Sequence, residues 1–186
     1  TEFALASVAR DAWETAAEGD GDAELVVARD ARVRGDRGRL RQALENLFRN
    51  ATEHARPDGS GDGAADGDGE DPGRDGSESD DALTVLVTAT DGGFLVADDG
   101  SGVDPDDRES VFESGFTTRA DGTGYGLDIV REVVESHGWS VELRRESEGY
   151  VGLPDGRRLR PPEGACFEVC APGPAAADPD EPWIDG

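Results

Sequence analysis

The chain has 186 residues, of which 43 are acidic and 18 basic, for a formal net charge of −25. Such a balance argues against nucleic-acid binding, which needs a basic face. Every cation is an arginine, so a phosphate loop of the GxxxxGK[ST] type is excluded for want of its lysine.

A charge this large is also a mark of disorder. Here, however, 35% of residues are apolar and they fall in periodic blocks, which makes a core possible in a chain the size of one domain. The acidic surface, with arginine in place of lysine, reads as that of a cytosolic protein from a high-salt cell, where salt screens carboxylate repulsion. GC-rich codon usage would produce the same arginine bias. The longest apolar runs, 83–89 and 94–97, are far too short to span a bilayer. No signal-peptide pattern opens the chain, and Thr1 reads as the start of an excised piece.

In chain order, Leu5, Val8, Ala12, Trp13 and Ala16 predict a helix over Phe3–Ala17. Glu24–Ala28 reads as a strand, with Arg32–Arg34 pairing beside it. Asp36 caps a long helix to about Ala55, whose apolar face is Leu40, Ala43, Leu44, Leu47, Phe48 and Ala51. Residues 57–81 then hold almost only Asp, Glu, Gly, Ser and Pro, with alanine the one apolar type. This stretch reads as a disordered insertion, and its acids do not meet the spacing of a calcium loop.

Order returns with Leu83–Thr90, a turn at Asp91-Gly92-Gly93, and Phe94–Asp98, which together signal a hairpin. Pro105–Phe112 suits a short helix with proline in its first turn. Leu127–His137 is a helix with Leu127, Val130, Val133 and Val134 as its apolar stripe and Gly138 as its stop. Trp139–Arg144 is a strand, followed by a polar loop. Ala165–Cys170 is the last strand, with Ala165, Phe167 and Val169 facing the core. Cys166 and Cys170 are about 13 Å apart along a strand, too far for a disulfide. Residues 171–186 read as a flexible acidic tail. The predicted architecture is α+β: a two-layer sandwich of one mixed, mostly antiparallel sheet with helices on one face.

Three segments could carry chemistry. On the long helix, Asn46, Asn50 and His54 form one polar line beside the apolar face. It is either a wet boundary or a row presenting hard oxygen ligands, of the kind Mg²⁺ takes alongside phosphates. Next, VADDGSGV ends a strand with Asp98 and two spaced glycines. This is either a turn or a carboxylate that accepts from an amine, with Gly100 and Gly102 admitting a flat ring. Finally, DGTGYGL opens a helix, and its N–H groups suit a phosphate.

In this order the segments resemble the sensor histidine kinase family. LRQALENLFRNATEH resembles its N-box and VADDGSGV its first glycine box. VFESGFTTR resembles its phenylalanine box, and GTGYGLDIVREVVESHG its second glycine box. The resemblance covers about 1–55 and 82–170, and the acidity, the NATEH wording and the ESHGW ending look most like the archaeal halophile branch. It implies the ATP-binding fold shared with type II topoisomerases, Hsp-type chaperones and mismatch-repair ATPases, here as one catalytic domain over 1–170.

Residue by residue, the resemblance implies that Asn50 binds Mg²⁺ through ATP, with Asn46 one turn earlier on the same helix. It implies that Asp98 reads the adenine amino group, with Gly100, Gly102 and Val103 beside the ring. Phe112 and Phe116 match anchors of a lid over the nucleotide, and Thr117, Thr118 and Arg119 follow in that lid. Gly122, Thr123, Gly124, Tyr125, Gly126 and Leu127 match its end near the phosphates. Glu53 departs from the basic residue many kinases have there, so no phosphate role is carried over to it. His54 stands where it could pack beside the base. Arg119 is either a phosphate contact or a solvated cation.

The hydrolytic branches of this fold place a water-activating glutamate one turn before the magnesium asparagine. Here that place is Asn46, and Glu45 is about 100° away around the helix. This favours phosphotransfer to a histidine over hydrolysis or serine phosphorylation. A non-catalytic nucleotide-binding module is the remaining alternative. Neither His54 nor His137 looks like a phosphoacceptor. The implied partner is therefore a dimerisation and phosphoacceptor hairpin of the same kinase, with a response regulator receiver indirectly and no contact with nucleic acid or membrane. The implied setting is cytoplasmic.

Overall fold

The computed structural model describes residues 1–17, 23–54, 83–113, 115, 125–144, 151–152, 158–159 and 164–170. The expected insertion 57–81 and tail 171–186 lie outside the described residues.

The chain opens with strand β1 (Glu2–Ala4), followed by helix α1 (Leu5–Ala16). Leu5, Val8, Ala9 and Ala12 are fully buried, so α1 follows its apolar spacing. Ala4 supplies no side-chain cap. Asp30 does so from a distance: its Oδ1 accepts the N–H of Ala6 at 2.8 Å and that of Ala31 at 2.9 Å. The same carboxylate turns the chain between β2 (Ala23–Arg29) and β3 (Arg32–Arg34). As a result β3 pairs antiparallel with β1, which corrects the expectation that Arg32–Arg34 would lie beside the preceding strand. β2 pairs instead, in parallel, with β4 (Leu83–Thr90). The start of α1 is also later than its periodicity suggests, because residues 2–4 are committed to β3.

Helix α2 (Arg37–His54) begins as expected, with Asp36 Oδ1 accepting from Arg39 N at 3.0 Å. Its apolar face packs edge-on against α1 through Phe48 and Trp13, ring centroids 5.4 Å apart. β4 and β5 (Gly93–Asp98) form the expected hairpin. Helix α3 (Gly126–Ser136) ends at Gly138, whose φ of 74° needs no Cβ. Then come β6 (Ser140–Leu143), the short pair β7 (Val151–Gly152) and β8 (Arg158–Leu159), and β9 (Cys166–Cys170).

The main sheet has the order β2-β4-β5-β9-β6, parallel only between β2 and β4. The three helices contribute to a single core with the sheet face formed by Val85, Val87, Phe94, Val96, Phe167 and Val169. Leu86, Leu95, Ala97 and Cys166 alternate to the opposite face. The mixed, mostly antiparallel α+β sandwich is therefore as expected. Neither Cys166 nor Cys170 forms a disulfide.

Two local expectations need correction. Residues 105–112 form successive turns rather than a helix, closed by Asp107 N to Asp104 O, Ser110 N to Asp107 O and Glu113 N to Ser110 O. Asp104 Oδ1 also takes the N–H of Asp106 at 2.9 Å, as a capping side chain would, but the backbone bonds that follow each span three residues, so the segment turns repeatedly without continuing as an α-helix. The polar loop before β9 contains the β7–β8 pair, which is too short to show a period. Among the described residues, no helix is long and apolar enough to cross a membrane.

Candidate functional site

Helices α2 and α3 run antiparallel against each other. At one end His137, the C-cap of α3, accepts the N–H of Asp36 on Nε2 at 3.0 Å. Its Nδ1 lies 2.7 Å from Val133 O, so Nδ1 carries the proton. The imidazole also packs on Trp139, with centroids 4.6 Å apart. His137 is thus a staple between the helices.

At the other end, the first turn of α3 meets Asn46 and Asn50. A Cβ placed on Gly126 would lie 3.2 Å from Asn50 Oδ1, 3.6 Å from its Nδ2 and 3.8 Å from Asn46 Oδ1. Asn46 is 9% exposed, and its Nδ2 donates to Gln42 O at 2.9 Å, which turns its oxygen away from the helix backbone. Asn50 is half-buried and its amide has no partner among the described residues. An uncommitted amide oxygen therefore faces a helix N-terminus with only a glycine between, a setting suited to a hard cation held together with phosphate. Among the described residues no group of three His, Cys, Asp or Glu is placed to hold a metal. Glu45 forms an ion pair with Arg41 at 3.3 Å, although the contact lacks hydrogen-bond geometry. This holds its carboxylate about 100° around α2 from Asn46.

The second group is built at the end of β5. Asp98 is 8% exposed. Its Oδ1 accepts two backbone N–H groups, from Gly100 at 3.0 Å and Ala165 at 3.2 Å. Its other oxygen has no partner among the described residues. Burial pushes this carboxyl up to about 6; the two N–H bonds pull it down and neighbouring Asp99 pushes it up. Asp99 faces away and is latched to Thr84, whose N–H donates to Asp99 Oδ1 at 2.7 Å. One acid of the pair is thus fixed in the sheet edge and the other is left with a free acceptor oxygen.

Gly164, which the sequence did not single out, makes this possible. A Cβ there would lie 1.8 Å from Asp98 O and 2.9 Å from Asp98 Oδ1. The only hint is a glycine immediately before the last strand. Gly102, at φ +72°, packs on the Gly164 carbonyl, and half-buried Val103 follows it. Phe112 meets Phe167 edge-on at 6.0 Å, which ties the segment after Gly102 to the core.

Of the expected site residues, the structure groups Asn46, Asn50 and Gly126, with Tyr125 and Leu127 flanking the last, and separately Asp98, Gly100 and Gly102. Phe116, Thr117, Thr118, Arg119, Gly122, Thr123, Gly124 and the side chain of His54 lie outside the described residues.

The family model described as "Histidine kinase-, DNA gyrase B-, and HSP90-like ATPase" matches residues 35–175. The sensor histidine kinase ZraS of Salmonella typhi is 34% identical over 126 residues, covering 64% of this chain and 22% of ZraS. The sensor protein IrlS of Burkholderia pseudomallei is 34% identical over 145 residues, 75% of this chain and 26% of its own. The chain thus spans about a quarter or less of these relatives. Among solved structures, the mycobacterial sensor histidine kinase MprB superposes with a TM-score of 0.62 at 23% identity, covering 91% of this chain and 95% of that one. ShkA, solved full-length in complex with AMPPNP, gives a TM-score of 0.53 at 30% identity, covering 94% of this chain and 30% of ShkA.

Proposed function

The chain belongs to the histidine kinase-, DNA gyrase B- and HSP90-like ATPase family, and from that premise we propose that it is the catalytic ATP-binding domain of a sensor histidine kinase. In this reading residues 1–170 are one domain that binds Mg·ATP and presents its γ-phosphate to a histidine on a separate dimerisation hairpin. A response regulator receiver then takes the phosphoryl group from that histidine.

The observation that carries the reading is the pairing of Asn50 with Gly126 in the absence of a glutamate one turn earlier. In-line phosphoryl transfer needs positioning and charge neutralisation more than covalent chemistry by the protein. Asn50 supplies the oxygen for Mg²⁺, with Asn46 supporting the same wall. The N-terminus of α3 favours the phosphate charge. Asp98 accepts from the adenine amino group with its free oxygen, while Gly100, Gly102 and Val103 leave room for the ring. Mg²⁺, when bound, neutralises charge on the phosphates. Asn46 stands where a hydrolytic enzyme needs a carboxylate, and Glu45 beside it is paired with Arg41.

In the same reading, Phe112 and Phe116 anchor a lid whose Thr117, Thr118 and Arg119 approach the phosphates. Its end, Gly122–Leu127, is assigned near the phosphates, and His54 is assigned a place beside the base. The setting is cytoplasmic, and the acidic surface suits a high-salt interior; dialysis to low salt would then unfold the chain cooperatively. Calorimetry on Asn50→Ala tests the core assignment: Mg·ATP affinity should be lost with the fold intact, and an unchanged affinity would contradict it.

A further inference from the structure

Asp99 follows the buried Asp98 directly in the chain, yet it is itself exposed. An exposed aspartate can be satisfied by water alone. This one instead makes two bonds to a single residue: its N–H donates to Thr84 O at 3.3 Å, and its Oδ1 accepts the N–H of Thr84 at 2.7 Å. Thr84 is fully buried, at 0% exposure, so its N–H needs an acceptor, and Asp99 supplies it. The Thr84 hydroxyl donates elsewhere, to Glu24 Oε1 at 3.4 Å. The β4–β5 register ends with Val85 opposite Asp98. Asp99 therefore adds one further rung as β5 leaves the sheet, with a side-chain oxygen in the place of a backbone carbonyl.

That rung acts on Asp98 through one peptide. The Gly100 N–H belongs to the peptide that follows Asp99, and it is one of the two donors to Asp98 Oδ1. The other donor, Ala165 N, comes with β9, where Asp98 N also donates to Ala165 O at 2.9 Å. Asp98 is thus clamped from β9 directly and from β4 through Asp99. With two donors on Oδ1 the carboxylate plane is set, and with it the direction of the second oxygen. Releasing Asp99 from Thr84 would let the Asp99–Gly100 peptide turn and would take one of those donors away. Asp99 also acts on Asp98 by charge. Burial raises the Asp98 carboxyl most, the Ala165 and Gly100 N–H groups pull it down, and Asp99, its charged neighbour, adds to the rise.

We propose that Asp99 is a positioning residue for base recognition: latched to Thr84, it fixes the direction in which Asp98 presents its free oxygen. It thereby sets the preference for adenine, whose amino group donates to that oxygen, over guanine, which has a carbonyl acceptor in the corresponding place. The proposal rests on the reading of Asp98 given above.

Calorimetry with Mg·ATP and with Mg·GTP, repeated between pH 8 and pH 5, tests it on three variants. Asp99→Ala removes an exposed side chain and leaves no cavity. Its ATP affinity should fall about tenfold, a part of the loss that follows when the Asp98 charge itself is removed, while GTP affinity changes far less. Asp99→Asn keeps an acceptor for the Thr84 N–H, so it should restore both the ATP affinity at pH 8 and the selectivity. Lacking the charge, it should also hold ATP to a lower pH than the unmutated chain does. Thr84→Val keeps the N–H and should bind as the unmutated chain. If Asp99→Ala lowers the melting temperature but leaves ATP affinity and selectivity as they were, Asp99 only completes a turn and the proposal fails. It fails as well if Asp99→Asn binds ATP as weakly as Asp99→Ala, since the latch would then not be the cause. An unmutated chain with no preference for ATP over GTP would remove the reading of Asp98, and this proposal with it.

Discussion

Gly126 and Asn50 are held so close that a single methyl group on the glycine would stand 3.2 Å from the asparagine Oδ1. The contact joins the N-terminus of α3 to the C-terminal part of α2, and it is tight enough that the asparagine would have to give way. Gly126 is not among the glycines with positive φ, so a side chain there is compatible with the backbone.

Gly126→Val should therefore separate stability from function. The fold should keep its melting temperature within a few degrees, because the backbone is unstrained and glycine is itself a poor helix residue. The affinity for Mg·ATP should fall by about tenfold or more, since the Asn50 amide is displaced from the face it presents. Thermal melting beside calorimetry measures both. An unaltered affinity would mean that the Asn50 side chain does not contact the ligand.

Asp98 should make nucleotide binding sensitive to pH near 6. Only the carboxylate is a pure acceptor, so adenine affinity should decline as pH falls through about 6, where burial has placed this group. The effect on the fold has the opposite sign. The native state holds this proton more tightly than the unfolded chain does, so this group adds stability as pH falls from about 6 to its ordinary value of 3.8 and costs stability above that window. Asp98→Asn should bind adenine nucleotides roughly 10- to 100-fold more weakly, as expected for a hydrogen bond to a charged group worth about 1.5–3 kcal/mol, and should flatten the pH profile. ATP affinity that stays constant from pH 8 to pH 5 would contradict the role.

Gly164 gives a prediction of a different kind. A Cβ there overlaps the Asp98 carbonyl at 1.8 Å, and backbone cannot swing aside as a side-chain tip can. Gly164→Ala should cost at least the upper end of the roughly 1–3 kcal/mol that overpacking costs, and should weaken ATP binding by moving the Ala165 N–H away from Asp98. Denaturant melts together with nucleotide titration check this. Wild-type stability would show that β9 can shift without disturbing the site.

The parts of this molecule legible in its sequence were those with a strong period or a local chemical signal. The face of α2 from Leu40 to Ala51, the Asp36 cap, the 83–98 hairpin and the Gly138 stop all follow from neighbours within a few residues. What was not legible depends on distant partners. Asp30 caps α1 across 24 residues and thereby sends Arg32–Arg34 to β1, and no local pattern announces that. Gly164 reaches Asp98 only because β9 lies beside β5. The polar line Asn46 and Asn50 could be seen, but its meaning was open until Gly126 was found opposite it. Residues 105–112 close three successive i, i+3 turns instead of an α-helix, so a cap residue and a proline in the first turn were not enough to specify one.

In the function proposed above, this chain holds ATP for transfer to a histidine elsewhere rather than for hydrolysis. That function is tested most directly by incubating the chain with γ-labelled Mg·ATP, with and without the hairpin domain of its own kinase, and following acid-labile protein label and free phosphate together. The chain alone should neither label itself nor release phosphate appreciably, and acid-labile label should appear on a hairpin histidine once the partner is added. Rapid phosphate release without the partner, or acid-stable label on the chain itself, would contradict it.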